Sequence, residues 1–344
     1  MIRRTVAVAA LILFRATAQT PAAALTAEGE RLLEARDFRR AQPLFERALR
    51  QDPAQFGARA GLGFIAFSEG RLAEARVFLE QALKVRPKAF QARFLLGAVL
   101  VELKENAAAI GHLRVAHQLN PGHTDARKLL ATEYYASGQF RPAIALLSPV
   151  AERQPHDLEM HLLLISALQG AGDSNGSFRL AERAAVRFPQ SAQVAAWLGF
   201  QLQFAGRFQE AEPRLRKAIE LDPRYGVPYQ LLGETFLKRE KYEEAVLWFR
   251  QAVERMPEDV ETLMGLGRAL AGTGDPAAAL EALRAAALAG PDNAQVHLQL
   301  SRVYFRVGNE AAARQEADLS VKLRAASPLP AATPPAPASL RGVK

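Results

Sequence analysis

Proline recurs along this chain at one spacing: Pro53, Pro87, Pro121, Pro155, Pro189, Pro223, Pro257 and Pro291 stand 34 residues apart. A fixed period of this length marks a repeated supersecondary unit, each copy packing on the next, and no fold built round one core imposes it. Each proline closes an amphipathic run, as in Phe45 to Asp52. Proline is tolerated there because a residue past a helix end removes no intrahelical donor.

Numbering each unit so that this proline is position 32 sets the units to begin at residues 22, 56, 90, 124, 158, 192, 226, 260 and 294. Position 8 is then Gly29, Gly63, Gly97, Gly199, Gly233 and Gly267, relaxed to Ala131, Ile165 and Ser301. Position 20 is alanine in every unit except at Ser177, and position 27 is alanine except at Val150 and Ser320. Leucine holds position 7 from Leu62 to Leu300. Small residues at fixed helical offsets let two helices approach closely, while the leucines fill the space beside them. Gly70, Gly138, Gly172, Gly206, Gly274 and Gly308, all at position 15, suit a tight turn of positive φ between two helices.

In this register the chain resembles the tetratricopeptide repeat family, over about nine units from 22 to 325. The resemblance implies an all-α fold, a right-handed superhelical solenoid of antiparallel helix pairs with a concave groove. The tryptophan usual at position 4 is missing: Tyr229 is nearest, and Arg59, Arg93, Arg127, His161 and His297 stand elsewhere. The ends of such a stack need polar covers. Arg314, Gln315, Glu316, Asp318, Lys322 and Arg324 supply one, and Glu28 replaces the position 7 leucine at the other.

Residues 1–18 have the pattern of an export signal, with basic Arg3-Arg4, an apolar run from Thr5 to Phe14, and Ala16-Thr17-Ala18 before a cut at Gln19. A periplasmic or secreted bacterial location is therefore expected, with residues 19–324 as the solenoid and the Pro/Ala-rich 325–344 as a tail. Nothing after residue 18 is long and apolar enough to span a membrane, so the mature chain is expected to have no span. Of the net charge of +8, three units come from Arg3, Arg4 and Arg15 and two from Arg341 and Lys344, which leaves the body at +3. So weak a balance argues against a polyanion-binding surface, and no nucleic acid is expected.

The chain has no cysteine, which removes thiolate metal sites and cysteine nucleophiles. The pairs His112/His117 and His156/His161 are five residues apart, about 140° round a helix, and so do not share a face for a metal. The Gly170 to Ser177 turn lacks the lysine of a phosphate loop. No catalytic, metal or cofactor site is expected, and no enzyme activity. Units four and five are irregular, with Pro149 inside a helix, Ile165 for glycine and Ser177 for alanine, which allows either a boundary near 149–177 or simple repeat degeneration.

Positions 2, 5, 9 and 12 of the first helix share one face, which lines the groove in the family. Here that face offers Phe64 and Phe67, then Phe94 and Val101, Lys128 and Tyr135, and Phe200 and Gln203, before turning polar at Gln230, Glu234, Arg268 and Arg302. These first eight residues are the expected binding surface for a protein or peptide partner, with the phenylalanines as an apolar strip. The leading expectation is an exported scaffold holding a peptide or helix in its groove. The second is an accessory subunit of a cell-envelope glycan-synthesis or secretion assembly.

Overall fold

The computed structural model describes residues 20–153 and 156–326. The expected export signal lies outside them, as does the expected tail from residue 327 onward. The last helix carries through Ala325 and Ala326, two residues past the expected end of the solenoid. The described residues form eighteen helices and no strand, in two compact units that divide between Gln154 and Pro155.

The first unit holds α1 (Pro21–Glu34), α2 (Phe38–Gln51), α3 (Phe56–Ser68), α4 (Leu72–Val85), α5 (Phe90–Glu102), α6 (Asn106–Leu119), α7 (Thr124–Ala136) and α8 (Phe140–Arg153). The second holds α9 (Leu158–Gly170), α10 (Ser174–Arg187), α11 (Ala192–Phe204), α12 (Phe208–Leu221), α13 (Val227–Lys238), α14 (Tyr242–Arg255), α15 (Val260–Thr273), α16 (Pro276–Ala289), α17 (Ala294–Arg306) and α18 (Glu310–Ala326). Within each unit every helix packs on the next one in the chain.

The punctuation between helices has the form that residue chemistry demands. All six position 15 glycines adopt positive φ, from 71° at Gly138 to 84° at Gly274. The same position takes φ of 58° at Arg36, 61° at Lys104 and 58° at Glu240, where a side chain makes it costly. The turn closes by the bond that ends many helices, as where Arg71 N donates to Ala66 O at 2.8 Å. Asp and Ser side chains cap several of the helices that follow, among them Asp173 for α10 and Ser191 for α11.

The position 8 glycines exist because of the residue at position 24. A Cβ on Gly63, Gly97, Gly199 or Gly267 would come within 2.5–2.7 Å of Leu79, Leu113, Leu215 or Leu283. Where position 24 is phenylalanine, a second glycine is needed from the next helix pair. Phe45 is held between Gly29 and Gly61, and Phe249 between Gly233 and Gly265. Both rings are fully buried, each contributing about 1.5–3 kcal/mol through the area removed from water.

Irregularity at 158–197 is a redistribution of volume. Position 8 grows to Ile165 while position 24 shrinks to Ala181. The register that sets Gly61 against Phe45 sets Trp197, the largest fully buried side chain, against Ala181. Ser177 donates to Ile165 O at 3.0 Å and accepts from Gln201, which also donates to Gln169 at 2.9 Å. Ser301 and Ser320 likewise donate across their pair, to Ala313 O and Ala294 O. Pro149 lies inside α8, and the helix continues past it to Arg153.

Position 4, where no tryptophan stands, has a different use. In five units its side chain bonds the carbonyl of the proline six residues earlier, while His161 meets Asp157 O at 2.8 Å. Arg93 Nε reaches Pro87 O at 2.9 Å and Tyr229 Oη reaches Pro223 O at 3.1 Å. Arg59 and Arg127 bond Pro53 O and Pro121 O in the same way. His297 Nε2 meets Pro291 O at 2.9 Å while its Nδ1 meets Glu316 at 2.7 Å. In these units a polar side chain ties the end of one helix pair to the start of the next.

The terminal cover is mixed in character. Alongside its charged residues α18 leaves Val321 exposed, and Phe305 at the end of α17 is 70% exposed.

Candidate protein-binding groove

In the first unit the expected aromatic strip is interior. Phe64 is 3% exposed, and Phe67 and Phe94 are fully buried. Phe38 meets Phe64 edge-on at 6.0 Å, and Phe94 clusters with Phe90, stacked at 6.0 Å, and His123 at 5.2 Å, which is itself 4.8 Å from Phe90. Large side chains on the inner positions of neighbouring helix pairs come together and fill the space a partner would need. These three rings therefore belong to the core, and the expectation that they form an open surface is corrected. Val101, Lys128 and Tyr135 are partly exposed, the Tyr135 ring set edge-on against Phe140 at 5.6 Å.

In the second unit Phe200 and Gln203 line a cavity of about 520 Å³. Helix α11 supplies these two with Phe204, the turn and start of α12 supply Gly206 and Phe208, α13 supplies Gln230, Leu231, Glu234 and Lys238, and α15 supplies Glu261 and Met264. Residues 200, 203, 230, 234, 261 and 264 fall on the expected inner face, because one 34-residue step returns each helix to the same rotation. Phe204 and Phe208 lie off that face, one place along α11 and beyond the turn, and the face alone did not single them out.

The floor of this groove is apolar and its far side is polar. Phe200 stands edge-on to Trp197 at 5.7 Å, and Phe204, 42% exposed, stacks on Phe200 at 6.5 Å. Gln230 is 4% exposed; its Nε2 faces Glu261 Oε2 at 3.5 Å, and its Oε1 has no hydrogen-bond partner. Glu234, one turn along α13, meets Arg268 Nη1 at 3.4 Å. Burial holds the Glu234 carboxyl above the usual carboxylate range, against the opposing pull of Arg268 and Lys238. The result is a concave, mostly apolar cavity with a few buried polar groups.

Among the described residues no three histidines, aspartates or glutamates come together to hold a metal ion. No described helix is long and apolar enough to cross a membrane.

Sequence models of the tetratricopeptide repeat match residues 32–97, 100–166 and 236–297, and a second such model matches 190–258. The chain belongs to the tetratricopeptide repeat family. Among solved structures, a tetratricopeptide repeat protein from Parabacteroides merdae shares 18% identity at a TM-score of 0.52, covering 72% of this chain and 98% of its own. Residues 41 to the end of MamA from Desulfovibrio magneticus give 19% identity and a TM-score of 0.44, over 49% of this chain and 96% of that one. Cut9, in an APC/C hetero-tetramer with Hcn1, gives 13% and 0.47, over 88% and 79%. At 18% identity the likeness to the Parabacteroides merdae protein speaks for the tetratricopeptide fold alone. No curated protein matches the chain in sequence.

Proposed function

We infer that this chain is an exported, non-catalytic scaffold of nine tetratricopeptide repeats that holds a segment of a partner protein in the groove of its second unit. The carrying observation is the cavity at Phe200, Gln203 and Phe204, where a stack of rings ends in a side chain 42% exposed beside the buried acceptor of Gln230. Burying Phe204 on binding contributes about 25 cal/mol for each Å² of apolar surface covered. Membership of a repeat family whose units stack into extended surfaces supports the reading. The basic, apolar and small-residue succession of residues 1–18 supports export.

The test is site-specific photo-crosslinking from position 204 in an envelope extract, followed by recovery of the crosslinked species with Phe204→Ala and Gln203→Ala chains. One discrete adduct, weakened in both variants, is the expected result. Equal recovery of the same proteins by all chains would sink the groove assignment.

A further inference from the structure

The polar side of the groove identifies what it recognises. Gln230 and Glu234 lie four residues apart on α13 and so share one face. Glu261, from α15, brings its Oε2 to 3.5 Å from Gln230 Nε2. These three oxygen-bearing groups line one cavity, and the Gln230 carbonyl oxygen is buried without a donor, a state comparable in cost to a lost hydrogen bond. Arg268 touches Glu234 at 3.4 Å, and Lys238 lies one turn further along α13, yet nothing in the described residues reaches Gln230 Oε1. An anionic ligand would face two carboxylates, and an aliphatic one would leave Gln230 stranded. A cation answers all three, since ammonium offers three donors and guanidinium five. Of the remaining wall, which also carries Gln203, Leu231 and Lys238, the apolar part formed by Phe200, Phe204 and Met264 suits the rest of such a side chain. Aliphatic stems lie along apolar surfaces, and cations are drawn to aromatic faces.

We propose that the groove takes a lysine or arginine side chain of the partner protein, its stem along Phe200, Phe204 and Met264 and its charged head at Gln230, Glu234 and Glu261. This rests on the scaffold reading and adds the chemistry of the occupant. Burial raises the Glu234 carboxyl, and a cation placed beside it would act against that rise as Arg268 and Lys238 already do.

The experiment is a peptide array with random flanks and a fixed central arginine, lysine, citrulline or norleucine, read with the labelled full-length chain. Arginine and lysine peptides are expected to bind about tenfold more tightly than citrulline and norleucine ones, the scale of a hydrogen bond to a charged group. Gln230→Met and Glu261→Gln should each remove that preference. Glu261 is exposed, so its variant does not threaten the fold, and circular dichroism checks the other. Equal binding to charged and neutral arrays, binding to neither, or a preference untouched by both variants overturns the proposal. If the crosslinked partner is recovered equally by both variants, the cation site fails while the scaffold stands. If no chain captures a partner, the scaffold reading fails and the array still decides the cation site.

Discussion

Phe249 offers a sharp test of how neighbouring helix pairs are held together. Its ring lies between two glycines, and a Cβ added at Gly265 would stand 2.4 Å from the ring edge. Replacing Gly265 by alanine has two opposed effects. Helix propensity improves by about 0.5–1 kcal/mol. Overpacking costs about 1–3 kcal/mol, and a ring with no exposed surface has no free volume to move into. The sum is a net loss of about 0–2.5 kcal/mol. The chain itself contains the remedy, because pairs with Leu79 or Leu113 at this position are followed by Leu95 or Leu129 where Gly265 stands. Phe249→Leu alone removes buried carbon and costs about 1–2 kcal/mol. Combined with Gly265→Ala it should cost less than the two losses added, a coupling of about 1–2 kcal/mol. The assay is urea unfolding of the four chains by circular dichroism. Hydrogen exchange at α13–α15 locates the effect, because neighbouring repeats need not unfold together. Gly265→Ala raising stability, or strict additivity, would refute the packing argument.

Four further outcomes follow from the same reasoning. Lys104→Gly should stabilise the chain by about 1 kcal/mol, because Lys104 has φ of 61°; an unchanged unfolding midpoint would count against this. Glu133 is 5% exposed and its carboxyl is pushed up by burial, so the folded chain holds that proton more tightly than the unfolded one. Stability is then lost as pH rises from the unfolded value of 4.5, and Glu133→Gln should melt higher than the parent at pH 7–8, the gap closing toward pH 4. A gap independent of pH would contradict it. Arg93→Met should cost about 0.5–1.5 kcal/mol and speed amide exchange near Pro87, where the guanidinium now bonds the carbonyl. Mass spectrometry of exported chain should find Gln19 as the first residue, and retention of residues 1–18 would count against a cleaved signal.

Much of the fold was legible because glycine and proline act through the backbone. The position 15 glycines imply positive φ wherever they occur, and the position 32 prolines imply a helix end. What the chain does not display is distance. A helical wheel places Phe64, Phe67 and Phe94 on the inner face, but only the separation of neighbouring pairs decides whether that face is open. In the first unit it is filled by Phe38, Phe90 and His123. The same wheel placed Phe200 and Gln203 on that face, and there a cavity stays open beside Gln230 and Glu234. Glu261 and Met264 were available from the period, since they lie on the same face one unit later. The role of Arg59, Arg93 and Arg127 was hidden, because the absent tryptophan made them look like departures from a pattern.

Those position 4 side chains make the chain uneven as a mechanical object. Arg255 adds a second donor to Pro223 O, at 2.7 Å, and lies over the Tyr229 ring at 3.8 Å, so the joint there is fastened twice. After Pro189 and Pro257 the corresponding residues are Ala195 and Leu263, which have no polar group to offer. At the seam after Pro257 the buried Phe249 ring, set between Gly233 and Gly265, stands in for the missing tie, so the second unit, pulled from its ends, should yield at the seam after Pro189 before the doubly fastened joint at Tyr229. The order in which its segments come free would then be set by single side chains at fixed intervals.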